Sequence, residues 1–319
     1  MSTSAADYLV DRRHLRRQLS FWRIVAFIAA ALAIIALGAR FSGAVGFVGG
    51  PHIARLTVSG FIAGNEETLK LIREARDSPA VAAALVRIDS PGGGTEGSEE
   101  IYDELRRLAA KKPVAAVVGG MAASGAYIAA LGADRIFVRG NSIVGSIGVL
   151  VEYPNVSGLM DKVGVKFESI KSSPLKATPN GFEPTSDEAR AAMAALIADS
   201  FDWFKALVKD RRSLTDEELA KVDDGRVFTG RQGLPLKLVD AIGDERDAIA
   251  WLEKDRGVAK NLPVRDYKPG SGWTGVRLTS LAAAAADLAG LTSIAAALRY
   301  DGRPPVDGLV SVWQLSGGD

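Results

Sequence analysis

The chain has no cysteine and only two histidines, His14 and His52, among 319 residues. Without cysteine there are no disulfides, no thiol nucleophile and no Cys-ligated zinc, although the compartment stays open because many exported proteins also lack it. Two histidines are too few for a His-based metal site. An excess of charge of one sign is missing as well. Lys and Arg total 39 against 38 Asp and Glu, leaving +1, so no global field points to nucleic acid as a partner. Neither the Walker pattern nor G-x-G-x-x-G occurs, no internal repeat is visible, and nothing calls for a cofactor.

Charge is scarce in one place in particular. Residues 24–39 carry none, whereas Arg12, Arg13, Arg16, Arg17 and Arg23 precede them. With Phe21 and Trp22 at one edge and Arg23 and Arg40 able to snorkel, the run approaches the roughly 20 residues that span a bilayer. The arginine cluster then places the N-terminus in the cytoplasm and the remainder outside. A cleaved signal peptide ending near Ala36-Leu-Gly38 is the alternative. We divide the chain into an Arg-rich leader (1–23), a transmembrane anchor (24–39), a tether (40–52), a main domain (53–268) and a tail (269–319).

Within the domain, strand-like and helix-like segments alternate. Strands are expected at Ile53–Val58, Ala84–Asp89, Pro113–Val118, Arg135–Val138, Ser146–Val151 and Lys166–Ile170. Helices are expected at Glu66–Arg76, Glu99–Lys111, Ala126–Leu131, Val156–Val163 and Ser186–Arg212. This order predicts an α/β fold with a largely parallel sheet covered by helices. In the long helix, Met193, Ile197, Phe201, Phe204 and Val208 recur every three to four residues and predict one buried stripe. In the tail, Val276–Leu298 reads as an Ala/Leu-rich packing or assembly helix.

Ser124 lies in Gly119-Gly-Met-Ala-Ala-Ser-Gly-Ala-Tyr127, where a strand hands over to a helix. A hydroxyl there can face a substrate while the helix dipole favours developing negative charge, so Ser124 is the candidate nucleophile. Equally, small residues there would let a helix pack tightly on a sheet. Ile88-Asp-Ser-Pro-Gly-Gly-Gly94 also joins a strand to a helix, and bare glycine N–H groups suit an oxyanion hole. Histidine is a poor candidate base: His14 is in the leader, His52 is in the tether, and none follows Ser124 as hydrolase order requires. Lysine remains.

Five segments in order, Ser90-Pro-Gly-Gly-Gly94, Met121-Ala-Ala-Ser-Gly125, Gly145-Ser-Ile-Gly-Val149, Ile170-Lys-Ser-Ser-Pro-Leu-Lys176 and Gly225-Arg-Val-Phe-Thr-Gly-Arg-Gln232, resemble the motifs of the signal peptide peptidase A family of membrane-bound serine peptidases. The resemblance covers about residues 53 to 255. It implies a Clp-protease/crotonase fold, a Ser/Lys dyad of Ser124 and Lys176, an oxyanion N–H at Gly93 and a hydroxyl at Ser146 that positions the lysine. It also implies a homo-oligomer acting on apolar peptides such as remnant signal peptides. Two positions depart from the pattern, Ser173 and Lys237, where glycine is common; at positive φ a side chain costs about 1 kcal/mol.

A neutral Lys176 requires burial among apolar walls without a carboxylate partner, which oligomerisation would supply. The rival functions are a crotonase-type hydratase or isomerase acting on thioesters and a non-catalytic membrane scaffold of the same fold. The apolar run Leu309-Val-Ser-Val-Trp313 either covers a hydrophobic patch on its own domain or adds as a strand to a peptide groove.

Overall fold

The computed structural model describes residues 21–30, 50–268 and 310–312. His14, the first part of the leader, residues 31–39 of the expected anchor, most of the tether and Val276–Leu298 lie outside the described residues. Residues 21–30 form helix α1, taken here by itself, with Phe21, Trp22, Ile24, Phe27 and Ile28 exposed. Among the described residues no helix is long and apolar enough to cross a membrane.

The domain begins with β1 (His52–Ile62), α2 (Glu66–Asp77), β2 (Val81–Gly94), α3 (Thr95–Ala109), β3 (Val114–Ala123) and α4 (Gly125–Leu131). Next come β4 (Arg135–Val138), β5 (Ile143–Gly145), α5 (Ser157–Lys162), α6 (Asp187–Arg212) and α7 (Asp216–Leu219). The last elements are β6 (Val227–Thr229), α8 (Gly230–Gly233), β7 (Ala241–Ile242), α9 (Glu245–Asp255), β8 (Val264–Asp266) and β9 (Val310–Val312). The strands form one sheet with the path β6-β5-β3-β2-β1-β8; β4 joins β3 and β7, and β9 joins β2. All pairings are parallel except β5 with β6 and β2 with β9.

Both faces of the sheet are covered, which is why β2 reads as a near-continuous apolar run rather than an alternating one. On one face Val86 and Ile88 share a core with Ile72 of α2, Leu105 of α3, Tyr127 of α4 and Phe204 of α6. On the other, Ala83 and Leu85 pack with Phe137 and with Ala248 and Leu252 of α9. Caps fix where helices start. The Asn65 side chain accepts from Glu67 N before α2, and Asp244 closes a capping box on α9.

Three expectations need correction. Strand structure is at Ile143–Gly145, ahead of the predicted Ser146–Val151, because Gly145 and Ser146 both take positive φ, 94° and 54°, and break the ladder. Lys166–Ile170 forms no ladder and is exposed, with no neighbouring strand among the described residues to pair with. The α6 stripe is buried only at Phe204 and Val208; Met193, Ile197 and Phe201 are partly exposed, since the helix packs on α4 and α7 and is tied to the end of α4 only through its last turn, at Arg211.

Tyr127 pins α4 to the domain. Its ring is fully buried, its hydroxyl donates to Leu238 O at 2.7 Å, and burial raises its phenol pKa. Replacing Tyr127 with Phe removes that donor from a buried carbonyl. Urea unfolding should show a loss of about 1–2 kcal/mol with an unchanged m-value.

Candidate active site

Three parallel strands end side by side: β2 at Gly94, β3 at Ala123 and β5 at Gly145. The crevice beyond the C-terminal ends of parallel strands is where open α/β sheets bind ligands. Gly93, Ser124 and Ser146 all sit at these ends.

The β2–β3 register sets the arrangement. Ile88 pairs with Val118, yet the next pair is Ser90 with Ala122, so two steps on β2 face four on β3. Gly119 and Gly120 take up the surplus around Asp89, whose Oδ1 accepts from Met121 N at 3.2 Å. A Cβ at Gly119 would lie 3.2 Å from Asp89 Oδ2, so the slip favours glycine.

Beyond the slip, β3 turns sharply. Ser124 has φ 57° and ψ −123°, a conformation that side chains rarely adopt, and it is 1% exposed. Its N–H donates to Gly145 O at 2.8 Å, and its carbonyl accepts from Tyr127 N and Ile128 N. A strained serine between strand and helix is the geometry of a nucleophile elbow, here reached without the G-x-S-x-G sequence. Gly145 continues into Ser146, which is 7% exposed and whose N–H donates to Arg226 O at 2.9 Å. The Gly225–Gln232 segment thus buttresses β5: Val227 pairs with Gly145, and a Cβ at Gly145 would meet the Phe228 ring at 2.9 Å.

On β2, Gly92 has φ 106° and Gly93 lies against β1 so closely that a Cβ there would be 2.0 Å from Ile62 O. Ser90 fastens this turn. Its hydroxyl donates to Gly60 O at 2.6 Å and accepts from Gly92 N at 3.1 Å. Sequence reasoning missed Ser90 and Asp89; the signal was a short polar pair directly before Pro-Gly-Gly, which favours side-chain-to-backbone turns.

Lys176 sits on an exposed turn, its N–H donating to Ser173 O at 3.1 Å, away from any regular element. Lys171 is engaged differently: its Nζ is 2.5 Å from Glu183 Oε2, and this ammonium with the Ser169 hydroxyl lowers the Glu183 pKa. Ser173 does not take positive φ, so its departure from glycine carries no strain there; Ala177 does, at 56°. Lys237 does so too, at 60°, which explains why glycine suits that position. His52 opens β1 with its Nε2 3.1 Å from Tyr267 Oη. Because Ile62 pairs with Gly93 at the other end of β1, His52 is about 30 Å from the crevice at roughly 3.3 Å per residue. It cannot serve as base to Ser124. Among the described residues no group of three or more His, Asp or Glu is placed to hold a metal ion.

The sequence profile of peptidase family S49 matches residues 106–259. A putative protease of Synechocystis sp. is 40% identical over 62% of this chain and 72% of its own length. The putative signal peptide peptidase SppA of Enterococcus faecium is 31% identical over 68% of this chain and 67% of its own. Protease 4 of Salmonella typhi is 37% identical over 59% of this chain, but only 30% of its own length is covered. Among solved structures, a variant of a membrane-bound stomatin-specific protease aligns with 69% of this chain and 99% of its own at 16% identity and a TM-score of 0.45. With identity extending over more than two thirds of the cyanobacterial relative, this chain belongs to peptidase family S49.

Proposed function

We propose that the chain is a membrane-anchored serine endopeptidase that cuts apolar peptides, remnant signal peptides among them, outside the cytoplasm. Ser124 carries the reading: a buried serine held at positive φ, set among glycine-built strand ends, in a chain of family S49. Family membership supports a serine peptidase, and the assignment of each role follows from the chemistry below.

In this mechanism Ser124 Oγ attacks the scissile carbonyl carbon and its proton passes to Lys176 Nζ. The Gly93 N–H holds the oxyanion. Collapse of the tetrahedral intermediate expels the amine, which takes the proton from Lys176. The neutral lysine then removes a proton from water, the hydroxide attacks the acyl-enzyme ester, and Ser124 regains its proton. Ser146 holds the lysine in place. Lys171 is the poorer base because Glu183 occupies its ammonium.

The exposure of Lys176 supports an oligomer. Around it the segment 151–183 leaves Leu159, Val163, Val165, Phe167, Ile170 and Leu175 exposed, with Ile170 fully so. An apolar surface of this kind is what a second copy of the chain would cover, drying the lysine as it does so. For the anchor, α1 is exposed and aromatic, and the charge-free run continues through Ala39.

Ser124→Ala and Lys176→Ala should each lower peptide cleavage by several orders of magnitude, with the double variant little worse than either. Wild-type kcat/KM should rise through neutrality and level off in alkali, as a base that must be neutral requires. A Lys176→Ala variant that still cleaves would refute the dyad, and a function untouched by Ser124→Ala would favour the scaffold.

Ser90→Ala should lower kcat about tenfold with KM little changed, since the two hydrogen bonds that fasten the glycine turn are lost. Ser90→Thr should restore it; unchanged kcat in Ser90→Ala would show that the turn holds itself.

In spheroplasts, protease added outside should digest the catalytic domain while a tag at Ser2 stays protected. A protected domain would reverse the orientation, and a soluble product beginning near Ala39 would mark a cleaved signal.

A further inference from the structure

Helix α4 is fastened at the end remote from Ser124. All seven of its residues are buried, and every one but Tyr127 is apolar. Apolar packing has little directional preference, so it resists movement of a helix along its axis less than hydrogen bonds do. Apart from Tyr127, the directional contacts lie at the C-terminal end, where the last carbonyls of a helix lack partners within it. The Gly132 and Ala133 N–H groups turn back to Ala129 O and Ala130 O. Arg211 of α6 takes the carbonyls beyond, its Nε donating to Leu131 O at 2.9 Å and its Nη2 to Ala133 O at 3.0 Å. Between them, Arg106 of α3 donates to Gly132 O at 3.2 Å.

Arg211 is a half-buried cation committed to this one task. Asp134, which follows the same carbonyls, is engaged by Arg106 and Arg256. Burial, together with the Arg106 charge, lowers the Arg211 pKa. What holds a guanidinium there is the negative end of the α4 dipole. This end of the helix also has no room to drift, since a Cβ at Gly132 would lie 2.7 Å from Leu105 Cβ.

At the other end, the Ser124 carbonyl accepts from Tyr127 N and Ile128 N, so the sharp turn and the first turn of α4 move together. A backbone at φ 57° and ψ −123° persists only while its surroundings over-determine it. A helix free to shift along its axis would let that strain relax. We infer that Arg211 is a positioning residue for the candidate nucleophile: by gripping the C-terminal carbonyls of α4 it stops the helix from shifting and holds Ser124 in its strained conformation. This rests on the reading of Ser124 as nucleophile. With a rise of about 1.5 Å per residue, the grip acts about 10 Å from the reacting atoms and touches no substrate. It therefore bears on kcat and not on KM, and a displacement of about 1 Å is enough to cost about a hundredfold.

Two variants of the full chain test this. Arg211→Met keeps the length of the side chain and removes its charge and donors, whereas Arg211→Lys keeps the charge but cannot fork two carbonyls. With an apolar reporter peptide, Arg211→Met should lower kcat between about tenfold and about a hundredfold while KM stays within about twofold. Fluorophosphonate labelling of Ser124 should slow by the same factor, and Arg211→Lys should recover part of both. The midpoint of the pH profile should not move, because the base lies elsewhere. Hydrogen exchange followed by mass spectrometry needs no reaction: amides of residues 124–131 should exchange about tenfold faster in Arg211→Met, with those of β2 unchanged. A variant that melts at lower temperature yet keeps wild-type kcat, labelling and exchange below its transition would overturn the inference. If Arg211→Met does not fold, Arg106→Gln removes one carbonyl contact at the same end and should lower kcat roughly threefold with faster exchange confined to α4. Absence of both effects would equally overturn it. A wild-type chain that neither cleaves nor labels at Ser124, beside faster α4 exchange in Arg211→Met, would leave the grip on the helix standing and remove the peptidase reading instead.

Discussion

The disagreement in length between β2 and β3 is the constraint from which the site follows. Two strands that stayed in register would keep pairing to their ends and leave no crevice. The two surplus residues, Gly119 and Gly120, fold around Asp89, and from there β3 diverges. β3 then ends in the turn at Ser124 and leaves β2 without it at the glycines. The sharp turn at Ser124 and a ladder edge that β9 covers are thus produced together by one irregularity, where two separate devices would otherwise be needed.

What surrounds Ser124 is made mostly of backbone. Gly93 is pressed on Ile62, Gly145 on Phe228 and Arg226, and the Ser124 amide on the Gly145 carbonyl. Contacts of this kind tolerate no Cβ and have few ways to relax, so the geometry is rigid before a substrate arrives. The segment that carries Lys176 is built in the opposite way, from exposed apolar side chains and little regular structure. One half of the proposed dyad is thus fixed by the fold, and the other half waits on what the segment packs against.

Much of this was legible in the sequence, for identifiable reasons. Glycine clusters near strand ends announce close backbone approach, and Gly93, against the Ile62 backbone, and Gly145, against the Arg226 carbonyl, proved to be such places. The parallel sheet followed from the alternation of apolar runs with helical periods. The strand expected at Ser146–Val151 failed because apolar Ile147, Val149, Leu150 and Val151 suggested a ladder that the positive φ of Ser146 forbids. The α6 stripe was over-read because periodicity reports which face of a helix is apolar, not how far the neighbouring helices extend along it. Ser90 was invisible because its importance lies in a carbonyl thirty residues earlier, at Gly60. Ser124, in contrast, stood out because small residues crowd it on both sides.

The position of β1 has a mechanical consequence. The chain enters the domain at His52, and β1 lies between β2 along its whole length and β8 over Ile53–Arg55. The His52 ring also stacks on Tyr267, just beyond β8. A pull on the preceding segment would load these ladders along the strand axis, in shear, so that many hydrogen bonds share the force instead of opening one after another. Tension from the N-terminal side is carried by the central strands, while the crevice at their far ends keeps its shape.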